Sequence, residues 1–136
     1  MPSRPITATE QTLWDCANEA RSRAYAPYSD FTVGAALVSA DGRVFTAGNI
    51  ENASYGLTIC AERSAVVRAH AEGATTFTTI AVACPETAIT ASPCGACRQV
   101  LHEFGAEMVV VYRRDGELVA EVISDLLPAG FRLRES

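Results

Sequence analysis

Two cysteine islands, Cys60-Ala61-Glu62 and Pro93-Cys94-Gly95-Ala96-Cys97, constrain this chain more than any other feature. Three thiols serve one metal ion only if the chain between the islands folds back and brings both to the same place. Three sulfur ligands leave one position of a tetrahedral zinc for water, the ligand count of a catalytic site. A structural site closes with a fourth Cys or His, and none sits at a suitable spacing beside either island. The islands therefore imply a metal-dependent hydrolytic enzyme.

Cys94 and Cys97, three apart in the first turn of an expected helix, lie on neighbouring positions of one face. A redox Cys-x-x-Cys pair is the competing reading. Cys60 and Glu62 are some 200° apart around an ideal helix, so they meet only if they sit at its tip. Helix N-termini favour thiolate over thiol, which the metal requires. Three thiolates around Zn²⁺ leave net negative charge, which weakens the acidification of bound water. Arg63 and Arg98 each follow an island and are candidates to donate hydrogen bonds to the ligand sulfurs; the plainer reading is a solvated helix Arg. Glu62, beside the first ligand, is the candidate general acid and base.

The elements predicted around these islands follow from periodicity and turn chemistry. Thr7 and Glu10 fit a capping box, and Leu13, Cys16, Ala17, Ala20 and Ala24 recur at helical spacing, predicting a first helix near residues 8 to 24, stopped by Pro27. Phe31 to Val38 and Val44 to Ala47 read as strands joined by an Asp41-Gly42 hairpin. Cys60 to Glu72 reads as a helix ended by Gly73, and Thr78 to Cys84 as a strand. Ser92-Pro93 read as N-cap and first residue of a helix reaching Phe104. Met108 to Tyr112 and Leu118 to Val122 are strands about Asp115-Gly116, and Ser124 to Leu127 a short helical turn. The order implies a three-layer α/β/α sandwich with a mixed five-stranded sheet, in one domain spanning residues 1–136. Both islands fall at helix starts after strands, where open α/β sheets form ligand crevices.

All 11 basic residues are Arg against 16 acidic ones, a net charge of −5 with no basic cluster, so no nucleic-acid partner is expected. No apolar run approaches a membrane span and the N-terminus lacks a signal-peptide core, so a cytoplasmic protein without membrane contact is expected. Five Cys without a secretory signal argue against a disulfide framework; Cys16 and Cys84 read as buried small hydrophobes.

With these residues placed, the chain resembles the short, homotetrameric, zinc-dependent cytidine deaminases over nearly its whole length. The resemblance rests on Pro27-Tyr28-Ser29-Asp30-Phe31-Thr32-Val33-Gly34-Ala35-Ala36-Leu37, Gly48-Asn49-Ile50-Glu51-Asn52-Ala53-Ser54-Tyr55, Cys60-Ala61-Glu62-Arg63 and Pro93-Cys94-Gly95-Ala96-Cys97-Arg98-Gln99. It implies one Zn²⁺ per subunit on Cys60, Cys94 and Cys97. It also implies hydrolysis of cytidine and 2'-deoxycytidine to the uracil nucleosides and ammonia, in pyrimidine salvage. Water adds to C4 of the ring while Glu62 protonates N3 and helps ammonia leave, a mechanism known for zinc deaminases generally. Asn49 and Glu51 match the family's ribose-binding pair, Phe31 its base-contacting aromatic, and Phe131 an aromatic that closes a neighbouring subunit's site. Ala53 and Tyr55 match loop positions near the substrate, partly across interfaces of a homotetramer with shared active sites. Cys60 replaces the His of the wider zinc-deaminase pattern, as in the short tetrameric class. Ser54 stands where many relatives carry Cys, and Thr58-Ile59 where Gly is common.

Two other readings share the islands. One is a deaminase of a modified cytosine nucleoside such as blasticidin S, against which the intact Asn49-Ile50-Glu51-Asn52 segment counts. The other is a non-catalytic zinc-stabilised interaction domain, which leaves Glu62 and the vacant ligand position unexplained.

Overall fold

A computed structural model describes residues 3–133. In chain order the elements are β1 (Arg4–Pro5), α1 (Ala8–Ala20), β2 (Gly34–Ser39), β3 (Val44–Gly48), α2 (Ala61–Ala71), β4 (Phe77–Ala83), α3 (Gly95–Phe104), β5 (Val109–Arg114), β6 (Glu117–Val122) and α4 (Ile123–Leu126). The strands form one mixed sheet in the order β1-β6-β5-β4-β2-β3. Pairing is antiparallel throughout except between β4 and β5, the strands that α3 connects.

The strands alternate between two cores, which is why helices cover both faces. Ala36, Ala81 and Val111 turn to one side, where Leu13 and Ala17 of α1 meet them. Ala35, Leu37, Ile80, Val110 and Tyr112 turn to the other, against Ala61, Ala65, Val66 and Ala69 of α2 and Leu101 of α3. Three layers, α/β/α, result. The hairpins turn where expected: Gly42 has φ 91, and Asp115 and Gly116 have φ 51 and 85. Gly73, just past α2, has φ 93, the left-handed C′ position expected of it.

Among the secondary-structure elements, the structure corrects four sequence expectations. The sheet has six strands rather than five, because Arg4–Pro5 pairs with β6 at the edge, a place where proline's missing N–H is tolerated. The first helix has its Thr7–Glu10 capping box but ends as α-helix at Ala20, tightening into a 3₁₀ turn at Arg21–Arg23. The strand expected from Phe31 begins at Gly34, because Asn49 captures the intervening backbone: its Oδ1 accepts from Val33 N–H at 2.9 Å and its Nδ2 donates to Phe31 O at 3.0 Å. Finally, the N-cap position of α3 is Cys94 rather than Ser92. Arg98 takes the upstream groups instead, donating to Pro93 O at 2.8 Å and to Ser92 Oγ at 3.0 Å. Cys84 is buried as expected, whereas Cys16 is exposed, one position off the buried Leu13, Ala17, Ala20 stripe of α1.

Candidate active site

Helices α2 and α3 begin side by side, and their N-cap residues are Cys60 and Cys94. Both adopt the extended backbone of an N-cap, yet neither sulfur bonds to its own helix end. They face each other at 3.9 Å, and Cys97, one turn into α3, completes a group of three Sγ atoms within 4.8 Å of one another. Ligands about 2.3 Å from a tetrahedral zinc stand about 3.8 Å apart, so the Cys60–Cys94 separation suits the ion and Cys97 lies within reach of it. The expected convergence of two helix tips is what the fold delivers.

The surroundings favour thiolate at Cys60. The Cys97 thiol and then Arg63, whose Nη2 donates at 3.3 Å, hold Cys60 down to about 5 against burial. Cys97 is pushed upward as the donor to Cys60 and by its own burial. Arg63 is held further toward its charged form by both sulfurs, so it supplies the positive charge that three thiolates need. Arg98 does not reach a sulfur; its remaining Nη1 donates to Leu126 O at 2.7 Å and ties α3 to the end of α4. Cys60, Cys94 and Cys97 fit a zinc ion by donor type and spacing.

Glu62, at the second position of α2, is 5% exposed. Burial raises its carboxyl to about 7, and the negative charge of Cys60 adds to the rise. It lines a cavity of about 330 Å³ together with Cys60, Cys94, Phe31 and Asn49. The rest of the wall comes from the end of β4 and the loop leading to α3, including Val82, Cys84, Ala88, Thr90 and Ser92. Sequence reasoning assigned none of these to substrate, although their place beyond the carboxyl end of a strand was the available signal. Burial holds the Cys84 thiol up at about 11, so this wall presents a neutral SH.

Four expected substrate residues lie outside the cavity wall. The Glu51 carboxylate accepts from Tyr28 N–H at 2.9 Å, Ser29 N–H at 3.2 Å and the Ser29 hydroxyl. Tyr55 and Phe131 are 77% and 65% exposed, and Ala53 is exposed beside Tyr55. Phe31, expected at a strand start, instead sits in the loop before β2 and lines the cavity.

Residues 7–113 match the family model for the cytidine and deoxycytidylate deaminase zinc-binding region. The chain is 48% identical over 123 residues to cytidine deaminase of Halalkalibacterium halodurans, covering 89% of this chain and 92% of that protein. Cytidine deaminase of Mycobacterium tuberculosis strain H37Rv is 43% identical over 118 residues, 86% of this chain and 85% of that protein. Among solved structures, the crystal structure of cytidine deaminase from Burkholderia pseudomallei superposes with a TM-score of 0.84 at 48% identity, covering 93% of this chain and all of that one. With its two helix tips carrying three clustered thiols beside a buried glutamate, and with these matches along nearly its full length, the chain belongs to the zinc-dependent cytidine deaminase family.

Proposed function

We propose that this protein hydrolyses cytidine and 2'-deoxycytidine to uridine and 2'-deoxyuridine with release of ammonia. The observation that carries the reading is Glu62, buried with a carboxyl near neutrality, in the wall of the cavity onto which Cys60 and Cys94 open. Zinc bound by Cys60, Cys94 and Cys97 supplies the Lewis acidity that makes water a nucleophile at neutral pH. Glu62 takes a proton from that water and delivers it to N3 of the ring as oxygen bonds to C4. It then shuttles the second proton to the amino group, the C4–N bond breaks, and ammonia leaves a uracil base. A carboxyl poised near 7 suits both directions of transfer. Arg63 balances the thiolates without entering the cavity.

Phe31 contacts the base and Asn49 the sugar from within one chain, with Glu51 two residues further on completing sugar recognition. The placement of Ala53, Tyr55 and Phe131 outside their own chain's cavity supports a second part of the proposal, a homotetramer in which these residues complete neighbouring sites. Exposed Tyr25, Ile50, Tyr55, Leu57 and Ile59 offer the apolar surface such an assembly buries. Residues 1–136 act as one catalytic unit. No helix among the described residues is long and apolar enough to cross a membrane. The five unpaired cysteines support a reducing, cytoplasmic setting.

The test is chromatography of cytidine and of 2'-deoxycytidine incubated with zinc-loaded protein, beside light scattering for mass. Uridine and deoxyuridine from a tetramer are expected. Folded, zinc-loaded protein that turns over only a modified cytosine nucleoside overturns the substrate assignment, and a monomer with full activity overturns the shared sites.

A further inference from the structure

The segment between α1 and β2 carries Phe31 into the cavity wall, and it is held by hydrogen bonds that the assigned chemistry does not use. Three donors of this segment converge on one carboxylate: Tyr28 N–H at 2.9 Å, Ser29 N–H at 3.2 Å and the Ser29 hydroxyl, all on Glu51. Ser29 Oγ also accepts from Phe31 N–H at 3.0 Å. Asp30 between them has φ 58, a left-handed conformation uncommon for a residue with a Cβ. On the far side of Phe31, Asn49 takes both Phe31 O and Val33 N–H. The aromatic is thus fixed before its own N–H by Ser29 and Glu51, and after it by Asn49. Glu51 is held in its charged form by the Ser29 hydroxyl first, then by the two N–H groups, which strengthens each bond in the set.

We infer that Ser29 is a positioning residue: its hydroxyl, donating to Glu51 and accepting from Phe31, sets the backbone that presents the Phe31 ring to the base. The inference rests on the deaminase reading, in which Phe31 contacts the base. Ser29 itself is not part of the cavity wall, and its side chain bonds Glu51 and Phe31 rather than a zinc ligand. Its hydroxyl also bonds Glu51, which faces the sugar in that reading, so the part of its action that passes through Phe31 is the part that persists on a nucleoside lacking the 2' and 3' hydroxyls. Glu62 and the three thiols are held by the starts of α2 and α3, and Ser29 hydrogen-bonds to none of them, so the chemical step is expected to be little changed.

The test compares wild type, Ser29→Ala and Ser29→Thr on cytidine and on 2',3'-dideoxycytidine, with amide exchange of Phe31 followed by NMR in the substrate-free, zinc-loaded protein. Ser29→Ala is expected to speed Phe31 exchange by about fivefold, the worth of one ordinary hydrogen bond. It is also expected to raise KM on both nucleosides by about the same factor with kcat within about twofold, the pattern of lost binding rather than lost chemistry. Ser29→Thr, which keeps the hydroxyl, restores both. Unchanged Phe31 exchange overturns the inference, as does a KM rise confined to cytidine, which would place Ser29 in sugar recognition alone. A wild type that turns over neither nucleoside breaks the deaminase reading instead, while the exchange experiment still reports on Ser29.

Discussion

Replacing Gly34 by alanine should be among the most damaging small changes available to this chain. Gly34 opens β2 directly under α1, and a Cβ there would lie 1.9 Å from Ala17 O and 2.9 Å from Arg21 N. Both are backbone atoms, so no side chain can swing aside. Ordinary contact begins near 3.4 Å, so the helix must lift by about 1.5 Å at this point. Ala17 and Ala20 are fully buried against the sheet, and a gap of this size forfeits much of their dispersion contact and that of Leu13. Overpacking alone costs about 1–3 kcal/mol, and with the lifted layer added we expect about 4 kcal/mol. Against the roughly 5–15 kcal/mol that holds a domain together, this lowers Tm by about 10–15 °C. Gly34 pairs with Gly48 and Ala83, immediate neighbours of Asn49 and Cys84 in the cavity wall, so KM should rise as well. Gly95 is the control, because a Cβ there meets nothing within 4 Å and its Ala variant should stay within about 1 kcal/mol of wild type. Calorimetry of both variants decides the matter. A Gly34→Ala protein melting within about 3 °C of wild type would refute the reasoning.

Three further outcomes follow from the site and its support. Glu62→Gln should retain zinc by elemental analysis while losing roughly 10²–10⁴ of kcat, since it removes the proposed proton carrier and leaves the sulfurs intact. Arg63→Ala should weaken zinc binding by about 10–100-fold in a chelator competition, because it deletes the donor to Cys60. Glu10 closes the α1 capping box and pairs with Arg4, and the Arg4 hydrogen bond holds its carboxyl below the usual value of 4.5. A lowered folded-state value means its contribution is complete above the unfolded value and is lost as pH falls below it. In urea denaturation, wild type should therefore exceed Glu10→Gln by about 1 kcal/mol at pH 7, and the gap should close toward pH 3.

What could be read from the sequence was local, and what could not was set by side chains acting across the fold. Both hairpins, the α1 capping box and the Gly73 helix end rest on residues within a few positions of one another, and all were legible. So was the meeting of the two cysteine islands, since no other arrangement gives three thiols one metal. The boundaries that moved did so for distant partners. Asn49 ended the strand early by capturing Phe31 and Val33, and Arg98 took Ser92 and Pro93 out of the helix cap. Arg4–Pro5 became a strand only because the edge of β6 was there to receive it. The engagement of Glu51 by Tyr28 and Ser29 joins residues more than twenty apart, and no periodicity announces it.

The cysteine-bearing helices also show that the site is built at the expense of their own ends. Thr7 at the start of α1 caps reciprocally with Glu10, satisfying orphan N–H groups at both positions. Helices α2 and α3 carry Cys60 and Cys94 at the equivalent place and have no side-chain cap, so their first amides and dipoles are directed toward the thiolate cluster. Serine is nearly isosteric with cysteine and a far better N-cap. Because Cys94 is exposed, Cys94→Ser loses little burial and should stabilise the chelator-treated protein by about 1 kcal/mol in urea denaturation. The same variant should lose zinc and activity, since a neutral hydroxyl replaces a thiolate ligand. A Cys94→Ser protein that is less stable than wild type when both are metal-free would show that the sulfur supports the helix, contrary to the geometry of its N-cap.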